Sequence, residues 1–173
     1  MSHKNVLAVD FGASSGRVML GNFDGNRLSI QEIHRFPNDP VILNGTMYWD
    51  FLRLFYEVKQ GLMKAKKYGK IDSIGLDTWG VDFGLIDKEG NLLENPVHYR
   101  DARTAGMLEK SFGKMDKDRF YQITGSQFME INTVFQLLAL LEKRPGLLEG
   151  TSRLLMMPDL FNYYLCGAQV SEY

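Results

Sequence analysis

The sequence predicts an α/β domain whose mixed β-sheet opens with three antiparallel strands and is flanked by helices. Three apolar strand patterns separated by short turns begin the chain, over residues 5–10, 17–23 and 27–35. After residue 50, segments with helical spacing alternate with short apolar runs. An antiparallel start followed by alternating helices and strands is typical of an α/β domain with a mixed sheet.

The boundaries of the later elements follow from turn residues and apolar spacing. Asp24-Gly25-Asn26 predicts the second hairpin, since Asp-Gly is a strong hairpin signal. Residues 37–49 hold two prolines and Asn44-Gly45 and are expected to form a loop, after which Asp50 should cap a helix over 51–69. The remaining expected strands are a buried one over 71–77 and two others over 81–86 and 153–157. The remaining expected helices lie near 102–112, 116–122, 132–143 and 158–164. Pro145-Gly146 should end the helix over 132–143.

Length and composition indicate one globular domain over residues 1–173. The chain is 45% hydrophobic and has a formal net charge of −1, so it shows no electrostatic footprint for nucleic acid or an acidic membrane. The single cysteine, Cys166, excludes an internal disulfide, suits a reducing compartment and is expected to fill space in the core. With no signal-peptide pattern and no apolar run long enough to span a bilayer, a cytoplasmic protein is expected.

The first motif with chemical meaning is NVLAVDFGASSGRVML, over residues 5–20. Small residues from Gly12 to Gly16 form a turn in which successive backbone N–H groups can make a concave anion site. Asp10 stands at the end of the preceding strand, where a carboxylate can hold hydrated Mg²⁺ beside bound phosphates. A Walker loop and a dinucleotide fingerprint are excluded, because both run from a strand into a helix. The alternative is a hairpin turn that uses Ser and Gly for conformational reasons alone.

The second motif, GLDTWGVDFG over residues 75–84, places two carboxylates around a Trp-Gly pair. Trp79 offers an apolar wall with one N–H donor, and Gly80 lets a hydroxyl-rich ligand approach the backbone. Asp77 and Asp82 can accept hydrogen bonds from sugar hydroxyls. The alternative is a hairpin in which the tryptophan belongs to the core and the carboxylates serve the turn.

The third motif is Tyr99-Arg100-Asp101-Ala102-Arg103-Thr104 at an expected helix start. Its charges suit the binding of a polar ligand. They equally suit an N-cap by Asp101 with two solvated arginines, and this second interpretation is favoured when the motif is taken alone.

The three motifs, in this order, resemble the FGGY family of carbohydrate kinases, which has the ribonuclease-H-like fold of the actin-like ATPases. The resemblance extends from residue 4 to residue 173, and the DTWGVDF segment is most similar to family members that act on L-rhamnulose. Further similar segments are EIHRF at 32–36, WD at 49–50, YQITGSQF at 121–128, NTVFQLLAL at 132–140 and LLMMPDLFNYYLCG at 154–167.

The resemblance implies transfer of the γ-phosphoryl group of Mg²⁺-bound ATP to the 1-hydroxyl of L-rhamnulose, which gives L-rhamnulose 1-phosphate. It implies that Asp10 orients Mg²⁺ through water and that Gly80 contacts the sugar. The ATP phosphates would be held by Ala13, Ser14, Ser15, Gly16 and Arg17, and the sugar would be surrounded by Thr78, Trp79, Asp82, Arg100 and Asp101.

The resemblance covers only the first of the two actin-like domains of such kinases. It implies that the catalytic base, the adenine site and the C-terminal domain lie beyond residue 173. Because phosphoryl transfer depends on positioning and charge neutralisation across the whole site, this chain alone is expected to have little or no kinase activity. A replacement base at Asp77 or Asp82 is the less favoured alternative.

Two other functions remain open from the sequence. One is a kinase for another ketose, such as L-fuculose or xylulose, because sugar specificity depends on a few hydroxyl contacts. The other is a non-catalytic actin-fold module that binds a ligand or a protein, because a fold does not fix a function. The reading frame beyond codon 173 would separate a kinase from a binding module.

Overall fold

A computed structural model describes residues 3–171 of the chain. Its strands are β1 (Lys4–Phe11), β2 (Ser15–Phe23), β3 (Leu28–Pro37), β4 (Val41–Leu43), β5 (Thr46–Tyr48), β6 (Ser73–Asp77), β7 (Phe83–Ile86) and β8 (Arg153–Met156). Its α-helices are α1 (Phe51–Ala65), α2 (Met107–Phe112), α3 (Lys117–Thr124), α4 (Thr133–Lys143), α5 (Pro145–Glu149) and α6 (Met157–Cys166). Two 3₁₀ turns cover Lys66–Tyr68 and Ala102–Thr104.

The main sheet has the strand order β3-β2-β1-β6 and confirms the predicted mixed topology. β1, β2 and β3 are antiparallel neighbours, whereas β6 runs parallel to β1 with Asp77 beside Asp10. The alternation of side chains along β1 and β2 buries one face of the sheet. Parallel pairing therefore brings the ends of β1 and β6 to the same edge of the domain.

Aromatic side chains from the sheet and two helices form the centre of the core. The ring of Phe11 stacks on Phe161 of α6 at 4.6 Å between centroids, and Phe51 of α1 lies 4.8 Å from the same ring. The opposite face of the sheet is open, as the 63% exposure of Ile30 shows. Asp10 lies on this open face, since it alternates with the buried Val9 and Phe11.

Helix α1 begins as predicted and ends slightly earlier. Asp50 accepts a hydrogen bond from the backbone N–H of Arg53 at 3.0 Å, so its predicted capping role is confirmed. The regular helix ends at Ala65, and a 3₁₀ turn carries the chain to Gly69, whose φ is +87°. The expected helix over 51–69 is therefore an α-helix with a tightened last turn.

Two expectations about the first half of the chain are wrong. Residues 37–49 are not an unstructured loop, because β4 and β5 pair as a hairpin around Asn44 and Gly45, which both have positive φ. Asn-Gly is the preferred sequence for such a turn. The strand predicted as buried over 71–77 is β6, and most of its residues are exposed because it lies at the edge of the sheet.

The second half contains further corrections. β7 pairs with β8 in a separate two-stranded sheet rather than joining the main sheet. The helix predicted near 102–112 is divided at Gly106, whose φ of +75° is incompatible with a continuous helix. Pro145 ends α4 as expected but also starts α5, since proline is tolerated in the first turn. Cys166 is exposed and does not fill the core.

No helix within residues 3–171 has the length and apolar character needed to cross a membrane.

Candidate functional site

The first two motifs meet where β1 and β6 end. Asp10 and Asp77 are register partners on these parallel strands, and Arg17 of β2 lies opposite Asp10. The Nε of Arg17 is 3.0 Å from Oδ2 of Asp10, and both side chains are about half exposed at 40% and 48%. Three charged side chains thus form a row across three neighbouring strands at the edge of the sheet.

The turn between β1 and β2 presents unpaired backbone donors. The N–H of Gly12 donates to the carbonyl of Ser15 at 2.9 Å, which closes the turn. Ala13 and Ser14 at its tip are exposed, and in the described part of the chain neither N–H has an acceptor. Consecutive backbone N–H groups without an acceptor in an exposed turn are suited to hold an anion.

Asn38 holds this turn in place and was not predicted from the sequence. Its side-chain amide donates to the carbonyl of Gly12 at 2.8 Å, and its backbone N–H donates to the carbonyl of Ser14 at 3.1 Å. Asn38 is only 2% exposed, so these two hydrogen bonds fix the turn from its buried side. The pairing of Ser15 with Pro37 places the next residue under the turn, but the strands predicted over 17–23 and 27–35 include neither of these residues, so no sequence signal indicated Asn38.

Asp82 is completely buried and joins several segments. Its Oδ2 accepts hydrogen bonds from the indole of Trp49 at 2.6 Å, the indole of Trp79 at 2.9 Å and the backbone N–H of Tyr99 at 3.2 Å. Its Oδ1 accepts from Nε2 of Gln136 at 3.0 Å. The side chain is 0% exposed, so the structure places Asp82 behind the surface at which Gly80 is exposed.

A stack of aromatic rings connects the second motif with the third. Trp79 and Trp49 lie 4.0 Å apart between ring centroids, Trp49 and His98 also 4.0 Å, and His98 and Tyr99 4.5 Å. The guanidinium of Arg100 continues the series over the ring of Tyr99 at 5.2 Å. The relative positions of the two motifs are therefore set by side-chain packing.

His98 is held in its neutral form within this stack. Its Nδ1 accepts a hydrogen bond from the backbone N–H of Arg100 at 3.0 Å, which requires an unprotonated Nδ1. Burial lowers the pKa of His98 below its ordinary value of 6.5, and nearby Asp82 opposes this shift only in part.

Replacing His98 by asparagine should reduce the pH dependence of stability between pH 7.5 and 5.5. Near pH 6.5 the unfolded chain binds a proton at His98 that the folded chain does not bind, so wild-type stability is lost as the pH falls below 6.5. Asparagine offers an acceptor in a similar place but does not titrate. The free energy of unfolding, measured in urea at both pH values, should fall less in the variant; equal falls would contradict the assignment.

The third motif combines a cap with a buried arginine. Asp101 accepts from the N–H of Arg103 at 2.9 Å and from the N–H of Met47 at 2.8 Å, so the N-cap interpretation is confirmed. Arg103 is not solvated as expected, since it donates to Oε1 of Gln136 at 2.6 Å and burial lowers its pKa. Arg100 is exposed.

A groove of about 430 Å³ lies next to the second motif. Val81 forms part of its wall, and the carbonyl of Val81 accepts from Oγ1 of Thr133 at 2.9 Å. Gly80 is exposed beside Val81, with open space where a side chain would stand. This groove could not be predicted from the sequence, because apart from Val81 its lining comes from residues 120–134, which lie 39 to 53 positions later in the chain. The other lining residues are Phe120, Thr124, Ser126, Gln127, Phe128, Met129, Asn132 and Val134.

The structure thus divides the expected site residues into groups. Those expected to bind phosphate and metal lie together at the turn between β1 and β2 and at the strand ends beside it. Of those expected around the sugar, Thr78, Trp79 and Gly80 reach the surface, whereas Asp82 and Asp101 are buried. Within residues 3–171 no three His, Cys, Asp or Glu side chains gather into a metal site. An ion at Asp10 would therefore keep several waters, as Mg²⁺ commonly does.

The chain is similar to carbohydrate kinases in sequence. The model of the FGGY family of carbohydrate kinases, N-terminal domain, matches residues 5–173. A rhamnulokinase of Oceanobacillus iheyensis is 44% identical over 168 residues, which are 96% of this chain and 36% of that protein. A rhamnulokinase of Bacteroides thetaiotaomicron is 43% identical over 171 residues, which are 98% of this chain and 35% of that protein. The chain spans about a third of the length of these curated relatives.

Solved structures show the same fold at low sequence identity. A gluconate kinase from Lactobacillus acidophilus superposes with a TM-score of 0.83 at 16% identity, over 97% of this chain and 34% of that chain. A xylulose kinase from the same organism superposes with a TM-score of 0.82 at 15% identity, over 96% and 34%. The predicted ribonuclease-H-like fold of the actin-like ATPases is thereby confirmed.

Proposed function

Since this chain belongs to the FGGY family of carbohydrate kinases, we propose that it supplies the half of the active site of an ATP-dependent L-rhamnulose kinase that binds the phosphates and the sugar. The observation that carries the proposal is the position of the turn over residues 12–16, the proposed phosphate turn, beside the Gly80 segment. The two follow the ends of the neighbouring strands β1 and β6. Ligands of open α/β sheets bind in this place. We also propose a cytoplasmic location, where ATP is available.

The turn suits the phosphates of ATP. The N–H groups of Ala13 and Ser14 have no acceptor within the described residues and lie in an exposed turn that the buried Asn38 holds in place. Arg17 adds a positive charge next to these donors and is only 40% exposed. Preorganised donors bind an anion without further ordering of the protein, so the expected phosphate set, from Ala13 to Arg17, is retained in the proposal.

The carboxylates at the strand ends suit Mg²⁺. Asp10 and Asp77 offer hard oxygen ligands on adjacent strands, and both reach solvent. When bound, Mg²⁺-ATP supplies the transferable phosphoryl group and a counter-charge for it. Arg17, paired with Asp10, orients that carboxylate from the side of β2.

The groove beside Gly80 suits a sugar. Val81 and Phe128 give it apolar walls, while Gln127 and Asn132 bring side-chain amides that can donate and accept hydrogen bonds. Mixed walls of this kind match a deoxy sugar, which has both hydroxyls and a methyl group. Because the two curated relatives carry the name rhamnulokinase, we propose L-rhamnulose as the ligand and its 1-hydroxyl as the phosphoryl acceptor.

The rest of the kinase site would come from the two thirds of the relatives that this chain does not match. We propose that the catalytic base and the adenine site belong to such a C-terminal domain. The chain of 173 residues would then bind ligands without completing phosphoryl transfer, since half a site cannot exclude water or orient the acceptor hydroxyl.

Release of ADP from Mg²⁺-ATP, with and without L-rhamnulose, tests this proposal. We expect no sugar-dependent release from the chain alone, while calorimetry should detect L-rhamnulose more readily than L-fuculose or xylulose. Sugar-dependent turnover would overturn the proposed absence of a base and would point to Asp77, because the oxygens of Asp82 are occupied by protein donors. Tighter binding of another ketose would change the proposed substrate.

Replacing Ala13 by aspartate should weaken the binding of Mg²⁺-ATP about tenfold, because a carboxylate within a few ångströms of the phosphates opposes them electrostatically. Ala13 is exposed, so the fold should be unaffected. Ala168→Asp, at another exposed alanine, is the matched control and should bind like the wild type. Titration calorimetry makes the comparison, and equal affinities in the two variants would argue against a phosphate site at this turn.

A further inference from the structure

We infer that Asp82 is a positioning residue for the sugar groove, which holds the wall of the groove in place without touching the sugar. The inference rests on the proposed function for its ligand, although the contacts that carry it belong to the protein alone. Asp82 joins the Gly80 segment, the third motif and helix α4 through one buried carboxylate.

The complete burial of Asp82 and its four protein hydrogen bonds keep a sugar hydroxyl from reaching this carboxylate. Three donors converge on Oδ2, from Trp49, Trp79 and Tyr99, at 2.6, 2.9 and 3.2 Å. Oδ1 is occupied by Gln136, and the side chain is 0% exposed. A carboxylate accepts at about four lone-pair positions, so the protein itself satisfies this group.

The nature of the donors explains why an aspartate occupies this position. Indole and backbone N–H groups only donate, so the oxygen that faces them must only accept. Hydrogen bonds to an ionised acceptor are about twice as strong as those between neutral groups. The carboxylate therefore fixes both indoles, and the backbone of Trp79 continues directly into Gly80.

Gln136 extends this arrangement to the groove. Its Nε2 lies within hydrogen-bonding distance of Oδ1 of Asp82 at 3.0 Å, the carbonyl of Val81 at 3.1 Å and the carbonyl of Ile131 at 2.9 Å. Val81 lines the groove, and Ile131 precedes the lining residue Asn132. Gln136 is itself 0% exposed and accepts from Arg103 at 2.6 Å. Asp82 and Gln136 thus connect the two sides of the groove from behind.

Asp82→Asn and Gln136→Met test the inference in the 173-residue chain. Asparagine turns an N–H₂ group toward donors, and methionine keeps the approximate volume of glutamine but removes its bonds to Val81 and Ile131. The chain has two tryptophans, and both indole N–H groups bond to Asp82, so their NMR resonances report on the carboxylate directly. Binding of L-rhamnulose and of Mg²⁺-ATP is measured by calorimetry on the same samples.

We expect both variants to bind L-rhamnulose about tenfold more weakly, with Mg²⁺-ATP affinity unchanged. Both indole resonances should move in Asp82→Asn. Glu57→Gln is the matched control, since Glu57 is another buried carboxylate, 5% exposed, that bonds to His34 of β3. This control should lower stability without affecting the sugar. Wild-type sugar affinity in Gln136→Met would overturn the inference, as would an equal loss of sugar and Mg²⁺-ATP binding.

A failure of the proposed function can be distinguished from a failure of the positioning role of Asp82. If the wild-type chain does not bind L-rhamnulose, the choice of sugar is wrong, and the positioning role is then decided by the backbone amide resonances of residues 126–134. Movement of these resonances in Asp82→Asn and Gln136→Met, but not in Glu57→Gln, would support the inference. If they keep their wild-type positions in the first two variants, Asp82 does not position the groove.

Discussion

Replacing Phe161 by alanine is expected to lower the free energy of unfolding by about 4 kcal/mol. The ring is 0% exposed, stacks on Phe11 and packs at a tilt against Phe51, so it joins α6, β1 and α1. Its removal leaves a cavity between the sheet and two helices that the surrounding elements cannot close. Because Phe11 follows Asp10 directly, the end of β1 at the phosphate turn should lose its support as well.

Phe23→Ala is the matched control for this prediction. Phe23 is 40% exposed at the end of β2, so the same loss of a ring should lower the free energy of unfolding by less than about 1 kcal/mol. Urea unfolding followed by circular dichroism measures both variants. Similar losses in the two would show that the Phe11–Phe51–Phe161 cluster is not the centre of the core.

Replacing Gly16 by alanine is expected to lower the free energy of unfolding by about 2 kcal/mol and to weaken Mg²⁺-ATP binding. A Cβ at this position would overlap the ring of Phe36, its register partner on β3. Phe36 is 2% exposed, so the ring has little room to move. The strain should be transmitted to the turn that carries the free N–H groups of Ala13 and Ser14.

Gly75→Ala separates this effect from the general effect of replacing a glycine in a strand. No atom lies within 4 Å of a Cβ built at Gly75, and its backbone does not require positive φ. This variant should have wild-type stability and should bind Mg²⁺-ATP normally. Thermal unfolding and calorimetry make the comparison; a Gly16→Ala variant as stable as Gly75→Ala would mean that Phe36 adapts without cost.

The parts of the fold that were predicted correctly depend on neighbouring residues. The hairpin around Asp24-Gly25-Asn26 and the cap at Asp50 are determined within a few residues of chain, because turn geometry and capping are local. The Asn44-Gly45 hairpin is also local, but together with the two preceding prolines, Pro37 and Pro40, its turn residues were interpreted as part of a loop. The exposure of β6 was missed for a different reason: an apolar run does not indicate whether a strand lies at the centre or the edge of a sheet.

The sequence by itself determined the order of most elements, the tight turn after β1 and the placement of Asp10 and Asp77 at strand ends, since these follow from strand direction and turn residues. Only the tertiary structure decided that Asn38 clamps the turn, that Asp82 is buried and that the groove forms beside Gly80. Each of these depends on contacts between residues 26 to 54 positions apart. Such contacts leave no periodic pattern in the sequence, because they arise from the packing of elements whose local signals are independent.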